Sequence, residues 1–457
     1  MRLLFDRGTI LLDAPPAELD PTALPGVAWD DRVAAHRAPG CRYAEIRAAL
    51  VRRGVRFTDA VRPAGQGAFR FAALGLREYQ QAALAAWQLA GRRGVVALPT
   101  GSGKTRVALG ALAASGLSAL CLVPTRVLLE QWRGELARVH PGAVGCYGDG
   151  ARELAPVTVA TFESAWRYMP VIGHRFDLLV VDEAHHFGAG VRDETLEMCA
   201  AAARLGLTAT PPRPGPQAAR LAALLGPTVY ELAIADLAGT FLASFDVVTW
   251  HVDLEPDERR AYNLDRLRFQ DALEAFWRDA PGAPWREFVR CAERTPTGRL
   301  ALAAWRRSRR LVALCRGKRR AVGELLGRHR DGRVLLFTAD NESAYSIARA
   351  HLVMPLTCDI RRAERADALE RFRRGELRAL VSSRVLNEGL DVPDADVAVI
   401  LGGTLGEREH VQRIGRVLRP GPGKRALVYE LVTRDTFEVR QAARRRLGLA
   451  PRIAAQL

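Results

Sequence analysis

Lysine is almost missing from this sequence: of 67 basic side chains only Lys104, Lys318 and Lys424 are lysines. Cysteine is thinly spread. The seven cysteines form no C-x-x-C pair, which excludes the usual zinc and iron–sulfur spacings. An odd, scattered set gives no disulfide framework and points to a reducing compartment, the cytoplasm. No uninterrupted apolar run reaches the ~18 residues that would span a bilayer, so no membrane attachment is expected. The first residues, Met1 to Arg7, carry charge within their apolar run and no cleavage signature, so no signal peptide is expected either. Low-complexity tracts and short repeats are also absent.

What remains is a chain of 457 residues, 48% hydrophobic and 26% charged, ordinary values for a globular protein of about three domains. Its net charge of +16 makes nucleic acid or an anionic membrane a candidate partner. A bias toward Arg, Ala and Gly from base composition would raise the same total.

Residues 1 to about 68 read as a small unit. Two apolar runs between Leu3 and Leu12, broken at Asp6-Arg7-Gly8, predict a hairpin. Tyr43 to Arg53 predicts a helix stopped by Gly54, and Pro63 to Gly67 reads as a linker. From Phe69 to about Ala235, short strands (Val95–Leu98, Ala119–Val123, Val157–Ala160, Leu178–Val181, Leu205–Leu207) alternate with amphipathic helices. That alternation predicts a parallel sheet covered on both faces, with ligands at the carboxyl ends of its strands. A second set begins at Val334, with strands at Val334–Phe337, Ala379–Val381, Val397–Leu401 and Ala426–Val428. Between the sets, Asp257 to Arg320 is helical and holds 17 basic against 8 acidic residues, with Trp277, Trp285 and Trp305 interleaved. Basic density with aromatics favours a nucleic-acid contact there over a merely solvated face.

The chemistry begins at Val95 to Thr105. A β-branched strand runs into Pro99-Thr100-Gly101-Ser102-Gly103, and Lys104-Thr105 open an apolar-periodic helix. Such a turn aims successive N–H groups at a phosphate chain, with Lys104 for the β/γ-phosphates and the Thr105 hydroxyl for Mg²⁺. That residue 104 is lysine in so arginine-rich a chain suits a compact ammonium between phosphates. Leu98 stands where the usual pattern has its first Gly. Downstream, Leu179 to Val181 end in Asp182-Glu183-Ala184-His185. Next to a phosphate loop, Asp182 is expected to hold the metal through water and Glu183 to orient the attacking water. Far downstream, Arg413, Arg416 and Arg419 fall on one face of a helix, as fingers reaching a nucleotide in a cleft between two lobes.

With these residues placed, the chain resembles superfamily-two helicases of the DEAH-box type, specifically XPB helicases in their compact archaeal and bacterial form. Leu76 to Gln80 is similar to the adenine-reading segment, with Gln80 its key residue, and Leu98 to Thr105 to motif I, where the family commonly has Leu first. Val123 to Leu129 with Gln131-Trp132 resembles motif Ia, Thr158 to Thr161 motif Ib, Asp182 to His185 motif II and Thr208-Ala209-Thr210 motif III. Leu336 to Thr338 fits motif IV, Val381 to Ser383 with Glu388 to Asp391 motif V, and Gln412 to Arg419 motif VI. The resemblance implies an α/β fold of two RecA-like parallel-sheet lobes, at 69–238 and 239–457, with a damage-recognition-like domain at 1–68 and a helical thumb insertion at about 257–320. It implies ATP bound by Gln80, Thr100 to Thr105, Gly389, Asp391, Gln412 and Arg413, and Mg held by Thr105 and Asp182. Lys104, Asp182, Glu183, Arg416 and Arg419 would be catalytic.

DNA contact or coupling would fall to Pro124, Thr125, Arg126, Thr161, Thr208, Thr210, Arg213 and Thr338. The implied activity is ATP-driven 3′-to-5′ movement on, or opening of, forked or distorted duplex and single-stranded DNA in nucleotide excision repair. A nuclease partner is implied, with the chain as monomer or hetero-complex. Alternatives left open are a duplex translocase with little strand separation, an RNA-directed helicase and a non-enzymatic repair scaffold. One departure bears on unwinding: after Thr210 the family's Arg-Glu-Asp element reads Arg213-Pro214-Gly215 here. Ala339 also replaces an arginine often found after motif IV.

Overall fold

Leucine- and valine-rich runs of four to six residues, buried along most or all of their length, build the centres of two sheets of this protein, and a small mixed sheet precedes them. A computed structural model describes residues 1–62, 69–237, 239–241, 244–383, 395–402 and 425–446. The chain divides into two compact units, the first covering Met1–Asp236 and the second beginning at Leu237.

The first unit opens with β1 (Arg2–Asp6), β2 (Thr9–Asp13), β3 (Ala28–Asp30), β4 (Ala35–Pro39), α1 (Tyr43–Arg52) and β5 (Thr58–Ala60). They form a five-stranded sheet in the order β3-β4-β2-β1-β5, with only β5 parallel to its neighbour. The predicted hairpin is β1–β2, turned by Arg7 and Gly8 at φ 46° and 87°, the positive pair a two-residue hairpin turn requires. Leu3, Ile10, Leu12, Ile46 and Leu50 make its core. This domain seats on the neighbouring sheet domain. A Cβ on Gly40 would stand 2.6 Å from the Met198 carbonyl oxygen, so only glycine admits that approach. Arg62 pairs with Asp177 and donates to the Ala200 carbonyl at 3.1 Å.

The larger domain of this unit runs α2 (Glu78–Leu89), β6 (Arg93–Ala97), α3 (Lys104–Ser115), β7 (Ala119–Val123), α4 (Arg126–Val139), β8 (Val144–Gly148), β9 (Ala151–Glu153), β10 (Val157–Thr161), α5 (Phe162–Ile172), β11 (Leu178–Val181), α6 (Glu194–Glu197), β12 (Ala203–Thr208), α7 (Pro216–Leu225), β13 (Thr228–Glu231) and α8 (Ile234–Leu237). Its eight strands lie in the order β13-β6-β12-β11-β7-β10-β8-β9, parallel except at β8–β9. Strands β7, β10, β11 and β12 are buried at every residue, as expected where helices cover both faces.

The second unit contains β14 (Ser244–Val252), α9 (Pro256–Asp279), α10 (Trp285–Ala292), α11 (Pro296–Ala313), α12 (Arg316–Arg328), β15 (Val334–Phe337), α13 (Asn341–His351), β16 (Met354–Leu356), α14 (Arg362–Arg373), β17 (Ala379–Ser382), β18 (Val397–Ile400), β19 (Arg425–Thr433) and α15 (Phe437–Arg446). The sheet order is β14-β19-β18-β15-β17-β16, with every printed pairing parallel. The basic connector is not one element. Helices α9 to α11 close around Phe269, Phe288, Ala292 and Leu302, while α12 gives Val322 and Leu325 to the core of the sheet. Of the three tryptophans only Trp305 packs against the three-helix core, with the Trp285 ring 5.3 Å away. Trp277 and Trp285, 47% and 44% exposed, keep open ring surface. Among the described residues no helix is long and apolar enough to cross a membrane.

Candidate nucleotide site

The turn after β6 is built as a phosphate cradle. Gly101 and Gly103 take φ of 84° and 80°, a region that costs other residues strain. Gly103 caps α3, and a Cβ there would meet Gln80 Nε2 at 2.7 Å. Helix α2 braces the loop from behind. Tyr79 Oη and Gln80 Nε2 both donate to the Ser102 carbonyl, at 2.5 and 2.9 Å, and Ser102 Oγ donates to Pro99 O at 2.6 Å. Gln80 Oε1 accepts from Arg77 N at 3.0 Å, so its amide positions the loop in addition to anything it reads on a ligand. Lys104 Nζ donates to the carbonyls of Leu98 and Pro99 at 3.2 and 3.4 Å. An ammonium has three donors, so one N–H remains for a phosphate oxygen.

Two strands away, β11 delivers Asp182 and Glu183. Asp182 is buried; its carboxylate accepts from Trp132 Nε1 and from Glu183 N, each at 2.9 Å. Burial pushes its pKa up, the adjacent Glu183 charge adds to that, and Lys104 opposes both. Burial also acts to raise Glu183, but His185, Lys104 and His186 together outweigh it and hold the carboxyl below its ordinary range. The Lys104 charge thus favours the ionised form of both carboxylates. Glu183 itself sits at φ 49°, a left-handed conformation unusual for a side chain of this kind.

From Glu183 a polar chain leads away from the carboxylates. His185 Nδ1 lies 3.3 Å from Glu183 Oε2 and 3.1 Å from Thr208 Oγ1, which in turn accepts from Thr210 N at 3.1 Å. Gln217 of α7 donates to the carbonyls of His185 and Phe187 at 3.2 and 3.3 Å, pinning this turn from outside. A carboxylate beside the phosphate cradle is thus within ion-pair range of His185, whose ring is hydrogen-bonded to Thr208 at the end of β12.

The residues assigned to DNA contact have their side chains largely engaged within the protein. Thr125 caps α4 by accepting from Leu128 N at 3.3 Å, and Thr161 caps α5 by accepting from Ser164 N at 3.2 Å. Thr161 pairs in register with Val123, so Pro124, Thr125 and the N-termini of α4 and α5 stand side by side. Both helix N-termini thus open on the same end of the sheet, where free backbone N–H groups suit an anion. Arg126 pairs with Asp149 at 2.7 Å, Arg213 is exposed, and Thr338 is buried with its hydroxyl on Asp340 O at 3.0 Å. Thr100 and Thr105 border the cradle, both partly exposed. Gly389, Asp391, Gln412, Arg413, Arg416 and Arg419 lie outside the described residues. Tyr79 and Trp132 lie inside motif segments without being assigned a role of their own, and Gln217 lies outside every motif. Of the three only Trp132 carried a signal, a tryptophan N–H in an otherwise apolar helix face that needs a buried acceptor.

A phosphate cradle and strand-end carboxylates on a parallel sheet define the class, a P-loop protein. Family models sharpen it: residues 73–213 match the type III restriction enzyme res subunit and 317–421 the helicase conserved C-terminal domain. The fold resembles the Pyrococcus furiosus Hef helicase domain at a TM-score of 0.53, with 21% identity, over 81% of this chain and 97% of that one. Residues 3–61 match the Xeroderma pigmentosum group B helicase damage recognition domain. The chain is 32% identical to DNA 3'-5' translocase XPB2 of Sulfurisphaera tokodaii over 97% of its own length and 99% of that protein. It is 31% identical to DNA 3'-5' helicase XPB of Mycobacterium tuberculosis over 82% of its length, and spans 64% of that relative. The chain belongs to the XPB family of helicases.

Proposed function

We propose that this protein is an ATP-driven DNA translocase moving 3′ to 5′, acting in nucleotide excision repair beside a nuclease. The observation that carries the reading is the polar chain from Glu183 through His185 and Thr208 to Thr210, a route from the water-activating carboxylate to the loop bearing Arg213. The N–H groups of Gly101 to Thr105 and the Lys104 ammonium hold the phosphates. Thr105 and Asp182 supply hard oxygen donors that suit Mg²⁺, which when bound would neutralise phosphate charge. Glu183 takes the proton of the attacking water. Arg416 and Arg419 are assigned the developing charge on the transferred phosphoryl group. The domains proposed from sequence, damage-recognition-like at 1–68 and lobes at 69–238 and 239–457, divide the labour, and α9 to α11 serve as the thumb on DNA.

Duplex translocation with weak strand separation is favoured over robust unwinding by one feature. Pro214 and Gly215 replace two carboxylates after Arg213, and Pro216 begins α7 directly behind them. The deciding experiment measures ATP turnover with single-stranded, duplex and forked DNA and with RNA, alongside triplex displacement and fork opening. DNA is expected to stimulate turnover and RNA to do so far less. Stimulation should fall steeply between about 50 and 200 mM salt, as phosphate-dominated binding requires. Turnover indifferent to DNA would refute the reading.

Trp132→Phe keeps the ring in the core and removes the N–H that fixes Asp182. Turnover should drop about tenfold with ATP affinity nearly unchanged, the usual effect of losing a group that orients a metal-holding carboxylate. Steady-state kinetics and equilibrium nucleotide binding check both halves.

A further inference from the structure

In a chain that uses arginine almost everywhere, Lys318 is kept as lysine and is wholly buried. It stands in the first turn of α12, just past the end of the three-helix subdomain. Its ammonium donates to Glu438 Oε1 and Oε2 at 2.7 and 2.8 Å and to the Leu401 carbonyl. Three donors meet three acceptors around one nitrogen, an arrangement that a longer, planar guanidinium cannot reproduce.

The acceptors join distinct elements. Leu401 follows β18 directly, at the carboxyl end of a central parallel strand. Glu438 is in the first turn of α15, where its Oε2 also accepts from Thr433 N at 3.0 Å. The preceding residue, Phe437, meets the three-helix subdomain twice: its N–H donates to Tyr262 Oη of α9 at 3.3 Å, and Arg309 of α11 lies 4.9 Å over its ring. Arg309 is also 5.2 Å from the Trp305 ring, within the subdomain's own aromatic cluster. Contacts therefore run without a break from α9 and α11 through Phe437, Glu438 and Lys318 to the end of β18.

We propose that the Lys318–Glu438 pair is the joint that couples the three-helix subdomain to the strand ends of the second unit, with Lys318 a positioning residue for DNA-stimulated turnover. The role rests on the reading of the chain as a DNA-stimulated motor. Stability alone is a poor reason to bury such a pair, because desolvation offsets most of its attraction and an apolar pair serves as well. The same helix carries a natural control. Arg445 and Glu430 form a second buried pair, at 2.6 Å, joining α15 to β19.

The test replaces each pair by neutral side chains of similar length in the full chain: Lys318→Met with Glu438→Gln, and Arg445→Met with Glu430→Gln. Urea unfolding, ATP and single-strand DNA affinity, the ratio of DNA-stimulated to basal turnover, and amide exchange at Val397 to Gly402 with and without DNA are measured. The 318/438 double variant should bind ATP and DNA within about twofold of wild type. It should lose at least tenfold in the stimulation ratio, together with the DNA-dependent change in exchange. The 430/445 variant should keep both. Retention of both responses by the 318/438 variant overturns the proposal, as does equal loss in the two variants, which would mark a stability effect only. Lys318→Leu with Glu438→Gln, which likewise leaves no unpaired buried charge, carries the same expectations should the first double variant not fold. A wild type that DNA does not stimulate refutes the motor reading, and the exchange measurement still decides whether the joint responds to DNA.

Discussion

Glu183→Gln is expected to bind ATP with near wild-type affinity and to lose DNA-stimulated turnover by about 10²- to 10⁴-fold, the range associated with removing a general base. That loss corresponds to about 3–5 kcal/mol of transition-state stabilisation. Glu183 is the carboxylate assigned to take the proton of the attacking water. Burial acts to raise its pKa, but His185, Lys104 and His186 outweigh it and hold the carboxyl below the usual range, so it is ionised at neutral pH. Asp182, beside it, is moved the other way by burial and by the Glu183 charge. Two adjacent carboxylates are thereby given different tasks by their surroundings. The amide of glutamine fills the same space, so the loop and the Lys104 contacts survive while the acceptor for the proton is gone. Equilibrium binding of a fluorescent ATP analogue and steady-state turnover decide the matter. Turnover within tenfold of wild type would remove Glu183 from the role of base.

The phosphate cradle was legible in the sequence because its chemistry tolerates few residue types at fixed spacing: glycines at 101 and 103, lysine at 104 and a hydroxyl at 105. The central strands were legible because burial on both faces forces unbroken apolar runs such as Leu178 to Val181. Edge strands were not. Ala151–Glu153 and Thr228–Glu231 carry polar residues on open faces and pair only because a sheet is already there. The braces of the site were equally hidden. Tyr79 meets Ser102 across 23 residues, Trp132 meets Asp182 across 50, and Gln217 meets Phe187 across 30. Nothing local in the sequence marks such pairs. Trp305 shows the opposite error, where a residue suited to stacking on bases is used to pack three helices together.

Arg204→Ala is expected to destabilise the first unit by about 3–5 kcal/mol, from unsatisfied buried acceptors and the cavity left by a large side chain. Arg204 is completely buried on β12, and its guanidinium donates to four carbonyls: Ala201 at 3.1 Å, Leu196 at 3.0 Å, Leu224 at 2.9 Å and Cys199 at 2.5 Å. Leu196, Cys199 and Ala201 span the end of α6 and the turn to β12, Leu224 lies in α7, and the turn carries Met198 and Ala200, against which Gly40 and Arg62 of the N-terminal domain are seated. The fork of arginine is needed here for its reach. Four oxygens spread over a turn and a neighbouring helix exceed the three donors of an ammonium, so Arg204→Lys should recover only part of the loss. This is the converse of Lys318, where three acceptors close around a single nitrogen. Urea unfolding measures the stability, and amide exchange in β1 and β2 reports whether the N-terminal domain loosens with the turn. A change below about 0.5 kcal/mol, the scale of an ordinary surface substitution, would mean that water replaces the guanidinium and that the turn is held by its own backbone.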